Sequence, residues 1–118
     1  MAIICEVSNV TYSIHRNFTT VTVDLTLKDD SITDESGNPK ILDQKTISVT
    51  QNVLVDNALE LLLRKIMNEI QVYLQNAKVN MDKLDALFGT HDPDQILAAI
   101  QNNIQENTNN LVSSIFGA

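Results

Sequence analysis

The sequence predicts an α+β fold: an N-terminal antiparallel β-hairpin plus a third strand, packed against a long helix and a C-terminal helix. Three observations carry this. Residues 18 to 28 alternate apolar and polar side chains, residues 59 to 88 hold an apolar stripe at three- and four-residue steps, and Asp92-Pro93-Asp94-Gln95 opens a second amphipathic segment. The 118 residues fit one domain. Its β-rich part covers 1 to 52, with an acidic loop over 29 to 39, and its helical part covers 53 to 118.

In the strand over 18 to 28, Val21, Val23, Leu25 and Leu27 face one way, and Thr20, Thr22, Asp24, Thr26 and Lys28 the other. Residues 2 to 14 are strand-like too, but their apolar phase moves from odd (Ile3, Cys5, Val7) to even (Val10, Tyr12, Ile14). A bulge near Ser8-Asn9, or a strand shared between two packing surfaces, accounts for the switch. His15-Arg16-Asn17 is then the hairpin turn, with Asn17 suited to a left-handed conformation. Asp29 to Pro39 is rich in turn formers and separates the hairpin from a third strand over about Gln44 to Gln51.

A helix begins around Val55 to Asn57. Leu59, Leu63, Ile66, Met67, Ile70, Tyr73, Leu74, Ala77, Met81, Leu84, Leu87 and Phe88 lie on one side of it, and Arg64, Lys65, Asn68, Gln71, Gln75, Lys78, Asp82 and Asp85 on the other. The pattern weakens over Asn76 to Asn80, where Asn80 is placed to cap a fresh helix and a kink is expected. Gly89 supplies a C-terminal stop. Asp92 is the next N-cap, with Pro93 at the first helical position and Gln95 three residues after the cap. The last helix carries Leu97, Ile100, Ile104, Leu111 and Ile115 on one side, and the amide-rich Asn107 to Asn110 is expected to fray or break it.

Composition excludes several function classes. A formal charge of −7 and a pI near 4.5 leave no basic surface for phosphates, so no nucleic acid is expected as a partner, and the same balance disfavours anionic membranes. The opening Met-Ala-Ile-Ile-Cys-Glu has neither the basic nor the apolar region of an export signal, which predicts synthesis in the cytosol. The sequons at Asn9 and Asn17 then read as polar strand residues. Thirteen Asn and seven Gln give an amide-rich surface, suited to hydrogen-bonded contact with protein and equally explained by compositional bias.

The sequence shows no catalytic set and no enzyme is expected. Cys5 alternates with Ile3 and Val7 and reads as a structural thiol. His15 falls in a turn and His91 precedes a capping Asp, and no third partner accompanies either. The carboxylates of Asp29, Asp30, Asp34 and Glu35 invite a calcium site, yet counting back five residues from Gly37 lands on Ile32, so the ligand spacing fails. One Cys and two distant His exclude zinc spacing, and the three Gly residues are isolated, so no phosphate loop exists. No cofactor, metal or small-molecule substrate is expected.

The stripe is the remaining functional signal. Thirty helical residues span roughly 45 Å, against a radius of gyration of about 14 Å for a compact domain of this length. Leu59 to Ala77 is expected to cover the domain's own sheet, and a kink over Asn76 to Asn80 would let the rest turn back onto the C-terminal helix. Otherwise the surplus, mainly Met81 to Phe88, predicts burial against another copy or a partner. Tyr73, Met81, Leu84, Leu87 and Phe88 are the candidate interface residues, with Asn80 as a register-setting polar residue in the seam. Burial of such side chains contributes about 1.5 to 3 kcal/mol apiece before association costs.

Three segments together give a further expectation: the Thr-rich strand Thr-Thr-Val-Thr-Val-Asp-Leu-Thr-Leu-Lys-Asp-Asp, the strand Gln-Lys-Thr-Ile-Ser-Val-Thr-Gln, and the helix Ala-Leu-Glu-Leu-Leu-Leu-Arg-Lys-Ile-Met-Asn-Glu-Ile. Their layout, over residues 10 to 75, resembles that of the small virion structural proteins of tailed bacteriophages. The resemblance implies an assembly role in a head, neck or tail, with a homo-oligomer or neighbouring virion proteins as partners, and a location in the virion after synthesis in the host cytoplasm. It transfers no functional residue. The alternative function is a small acidic binding or regulatory module acting on a host protein through the loop 29 to 36.

Overall fold

The structure, a computed structural model, describes residues 2 to 117. Three strands, β1 (Ile3–His15), β2 (Phe18–Thr33) and β3 (Pro39–Asn52), form one antiparallel sheet in the order β1-β2-β3, followed by α1 (Ala58–Phe88) and α2 (Pro93–Phe116). This is the α+β layout the sequence predicts. The chain divides into two compact units, one up to Val79 and one from Asn80 onward. The division falls inside α1, because the first half of that helix packs on the sheet.

The change of apolar phase in β1 is a bulge. Ser8 pairs with Asp24 and Thr11 with Thr22, so Asn9 and Val10 together oppose Val23. Asn9 takes the left-handed conformation at φ 49 that such a bulge needs, and its Nδ2 donates to Asp24 Oδ2 at 2.9 Å. Directly paired residues share a face, so the one-residue insertion keeps Tyr12 opposite Val21 just as Val7 is opposite Leu25. One face of the sheet stays apolar along its length.

The hairpin turn differs in one detail from the sequence reading. The left-handed residue is Arg16, at φ 59, and not Asn17. His15 pairs with Phe18, and a positive φ at the first of the two loop residues only is the pattern of a type II′ turn, whose first position favours glycine. Arg16→Gly is therefore expected to raise stability by about 0.5 to 1 kcal/mol, read as a higher denaturant midpoint. An unchanged or lower midpoint would contradict the strain assigned to Arg16.

The acidic loop is shorter than expected, because β2 continues to Thr33 and β3 starts at Pro39. Backbone pairing holds these polar residues extended: Asp29 is opposite Lys40, and Asp30 N donates to Ala2 O at 3.0 Å. What remains is a tight turn organised by Asp34, whose Oδ1 accepts from the backbone amides of Ser36 and Asn38.

Val23, Leu25, Leu27, Ile47, Val49 and Tyr73 are the buried apolar residues. Val23, Leu25, Ile47 and Tyr73 form one cluster, with Cys5, Val21, Ile66, Ile70 and Leu74 packed partly against it. Four of these, Ile66, Ile70, Tyr73 and Leu74, come from α1 and follow the helical period, so α1 covers the sheet with the first half of its stripe.

Both helices are more continuous than the sequence suggests. α1 runs unbroken through Asn80, and no new helix begins at Met81. The weak helix formers at 76 to 80 are flanked by strong ones on both sides, and propagation through them costs less than a second nucleation. α2 does not break at Asn107 to Asn110, because side chains that would compete for the backbone are engaged along the helix. Thr108 Oγ1 donates to Ile104 O at 2.7 Å, Asn103 Nδ2 to Ala99 O at 2.9 Å, and Gln105 Nε2 to Asn109 Oδ1 at 3.0 Å. The expected caps are present. Asp92 accepts from Asp94 N at 3.0 Å with Pro93 next, and Gly89 takes φ 72 with its amide on Asp85 O.

Candidate interaction surfaces

In the first unit, the apolar face of the sheet is wider than its cover. Strands lie about 4.8 Å apart and a helix is roughly 10 Å across, so one helix shields about two of the three. Tyr73 Oη donates to Asp43 Oδ2 at 2.8 Å and Lys65 Nζ to Thr50 O at 3.1 Å, which ties α1 to β3. Beyond Cys5, the apolar face of β1 is left open: Val7, Val10, Tyr12 and Ile14 are all exposed, Tyr12 at 74%. On α1 the flank away from Lys65 is apolar as well. Leu63 and Met67 are exposed, and Met67, Ile70 and Leu74 line a shallow depression of about 490 Å³ rimmed by Gln71, Gln75 and Lys78.

The other face of the sheet is polar and satisfied. Thr20 and Thr50 hydroxyls meet at 2.8 Å and Thr22 and Ser48 at 3.0 Å, while Asp24 accepts from Thr46 Oγ1 at 2.6 Å and from Asn9 Nδ2. Ser8, Asn9, Asp24, Gln44 and Thr46 border a depression of about 280 Å³ there. The hydroxyl of Thr46, and then the amide of Asn9, hold the Asp24 carboxyl below its ordinary range. A depressed carboxylate contributes stability that is present above about pH 4, the unfolded value, and is lost as pH falls through the folded value. In Thr46→Val the midpoint of Asp24, followed by carboxyl NMR, is expected to rise toward 4. An unmoved midpoint would remove Thr46 as the cause.

Of the groups singled out for chemistry, Cys5, His91 and Asp29 have defined surroundings. Cys5 is half-buried and free, and burial pushes its thiol up, which disfavours the reactive thiolate. His91 Nδ1 lies 2.8 Å from Asp85 Oδ1 and pins the connection between α1 and α2. Asp29 is fully buried and accepts from both the amide and the hydroxyl of Ser31. Among the described residues no three of His, Cys, Asp or Glu are grouped to hold a metal, and no helix is long and apolar enough to cross a membrane.

The five sequence-predicted interface residues do not share one environment. Tyr73 is 8% exposed within the first unit's core, so it offers almost no surface to a partner. Its ring position was legible from periodicity, but the Asp43 that fixes its hydroxyl lies 30 residues away in sequence and leaves no local signal. Met81, Leu84 and Phe88, in the second unit, are half-buried, and Leu87 is 76% exposed. In that unit Ile96 and Ala99 are half-buried too, whereas every residue from Ile100 to Gly117 is exposed. Leu97, Ile100, Ile104, Leu111 and Ile115, read from the sequence as one side of a helix, are all uncovered.

The chain matches no family model, no curated protein and no solved structure.

Proposed function

We propose that this protein is a non-enzymatic structural subunit of a bacteriophage particle, working through contacts with copies of itself and with neighbouring particle proteins. The observation that carries this reading is the uncovered apolar face of β1, Val7, Val10, Tyr12 and Ile14, together with the exposed Leu63 and Met67 of α1. A row of exposed apolar side chains along one strand face costs free energy in water and suits a face that a partner covers. β1 is also an edge strand with no Lys or Arg and one acidic side chain, Glu6, along its 13 residues, so its protection against pairing rests mainly on the bulge between Ser8 and Thr11. The layout of residues 10 to 75 supports the particle as the setting.

The test is quantitative protein analysis of purified particles from a host in which the chain is produced during infection. The reading expects several copies of the chain per particle, retained after removal of loosely bound protein. Recovery of the chain only in the particle-free lysate would overturn it.

A further inference from the structure

We propose that α2 is the assembly element, and that it packs side by side with α2 of other copies in a parallel, in-register bundle of three or more chains. This rests on the assembly reading above and adds the surface, the partner and the direction.

The need for a partner follows from what α2 lacks. It is a helix of 24 residues with no buried residue, and every described residue from Ile100 to Gly117 is exposed. Helices in proteins draw most of their stability from an apolar face packed on something else. α2 has that face: Leu97, Ile104 and Leu111 stand seven residues apart, with Ile100 beside them, and Ile104 is 61% exposed. Spacing of three and four that repeats every seven residues is the seam of a coiled coil, in which each helix requires neighbours with the same period. A second copy supplies that period by identity.

Charge selects the same occupant. Between Gln95 and Gly117 the only charged side chain is Glu106. It falls on the side of the helix opposite Ile104, two residues on, as do Asn102, Asn109 and Ser113. From Gln95 onward copies can therefore approach through the seam without like charges meeting, even though the whole chain carries −7, and the carboxylates that a parallel register gathers, Asp92 and Asp94, stand at the first turn.

Direction follows from the polar positions in the seam. Continuing the three-and-four spacing from Leu97, Ile100 and Ile104 places Asn107 next, then Leu111, then Ser114. Parallel, in-register helices put Asn107 against Asn107 and leave every apolar layer apolar. An antiparallel pair centred on the same seam would set Asn107 against Ile104 and Ser114 against Leu97, burying an amide without a partner.

Area argues for more than two chains. The helix is ~36 Å long and ~10 Å wide, so one side-by-side contact covers on the order of 400 Å². A standard interface needs about 800 Å² per partner, which a helix reaches when it has two neighbours, as in a closed ring of three or more. Leu at the first seam position with Ile at the second, as at Leu97 and Ile100, favours the same higher states, the later second positions being Asn107 and Ser114.

The experiment uses the full chain and light scattering at tens of micromolar. The wild type is expected at three or more times the chain mass of 13.1 kDa, and Ile104→Glu at the mass of one chain. Asn102→Glu, which adds the same charge on the opposite side, is expected to stay assembled. For a variant that keeps the seam, Asn107→Cys in a Cys5→Ser background should form a disulfide between chains under copper-phenanthroline oxidation, and Asn102→Cys in that background should not. If Ile104→Glu stays assembled and Asn107→Cys does not cross-link, α2 is not the contact, while the assembly reading stands. A wild type that is a single chain overturns the α2 bundle, while the reading as a particle subunit still stands or falls on recovery of the chain in purified particles.

Discussion

Tyr73→Ala is expected to cost the first unit about 3 to 5 kcal/mol, the loss found when a large aromatic leaves a packed core. Tyr73 is the one α1 side chain in the buried cluster, where it meets Val23, Leu25 and Ile47. Its removal opens a cavity between sheet and helix and strips Asp43 of the hydroxyl that ties α1 to β3. Tyr73→Phe keeps the ring and drops only that bond. Because Asp43 is exposed and water can replace the hydroxyl, its cost is about 0.5 to 1.5 kcal/mol. Urea midpoints of the two variants separate the packing from the bond, and equal losses would mean that the ring contributes little.

The same residue sets a pH dependence. Burial, then the hydrogen bond to Asp43 and the charge of its carboxylate, push the Tyr73 hydroxyl above its ordinary range. A raised folded value means that the contribution is fully present below about pH 10, the unfolded value, and is lost as pH climbs toward the folded one. Between pH 9 and 11 the wild type should lose more stability than Tyr73→Phe. Parallel losses would contradict the raised ionisation of Tyr73.

Leu25→Ala is expected to cost about 2 to 5 kcal/mol. Leu25 is 1% exposed on the central strand, with Val7 opposite it on one side and Lys45 on the other. A unit of this size has a stability of roughly 4 to 12 kcal/mol, so the substitution removes a large fraction of it and lowers the melting temperature accordingly. Leu25→Met nearly conserves volume and should cost less than about 1.5 kcal/mol. A small effect of Leu25→Ala would place the core elsewhere than beneath α1.

The strands were legible because alternation survives where one face is buried, and the phase change in β1 marked its bulge between Ser8 and Thr11. Turn chemistry was less so. Asn17 has the stronger left-handed preference, yet the two-residue hairpin fixes the positive φ at its first position, where Arg16 stands. The loop after β2 read as longer than it is, because the pairing of Asp29 with Lys40 and the buried bonds to Ser31 are long-range or conformational facts that composition does not carry. Amide-rich stretches at 76 to 80 and 107 to 110 suggested breaks, but both helices continue, since helix formers on either side sustain them.

The proposed interaction surface was the least legible part. Periodicity shows which side of a helix is apolar, not what lies against it. It read Leu59 to Ala77 as a cover for the sheet, as Ile66, Ile70, Tyr73 and Leu74 are, and yet kept Tyr73 among interface candidates. It gave the stripe of α2 no special standing because nothing in the residues says that its side chains are exposed. The proposed assembly surface thus moves from Tyr73 and the end of α1 toward β1 and α2.

The most direct test of assembly is the native mass of the full chain in solution, measured by light scattering across a dilution series from tens of micromolar downward. The account predicts a particle of at least three chains at the upper end, dissociating toward 13.1 kDa on dilution. A mass of one chain throughout the series would contradict it.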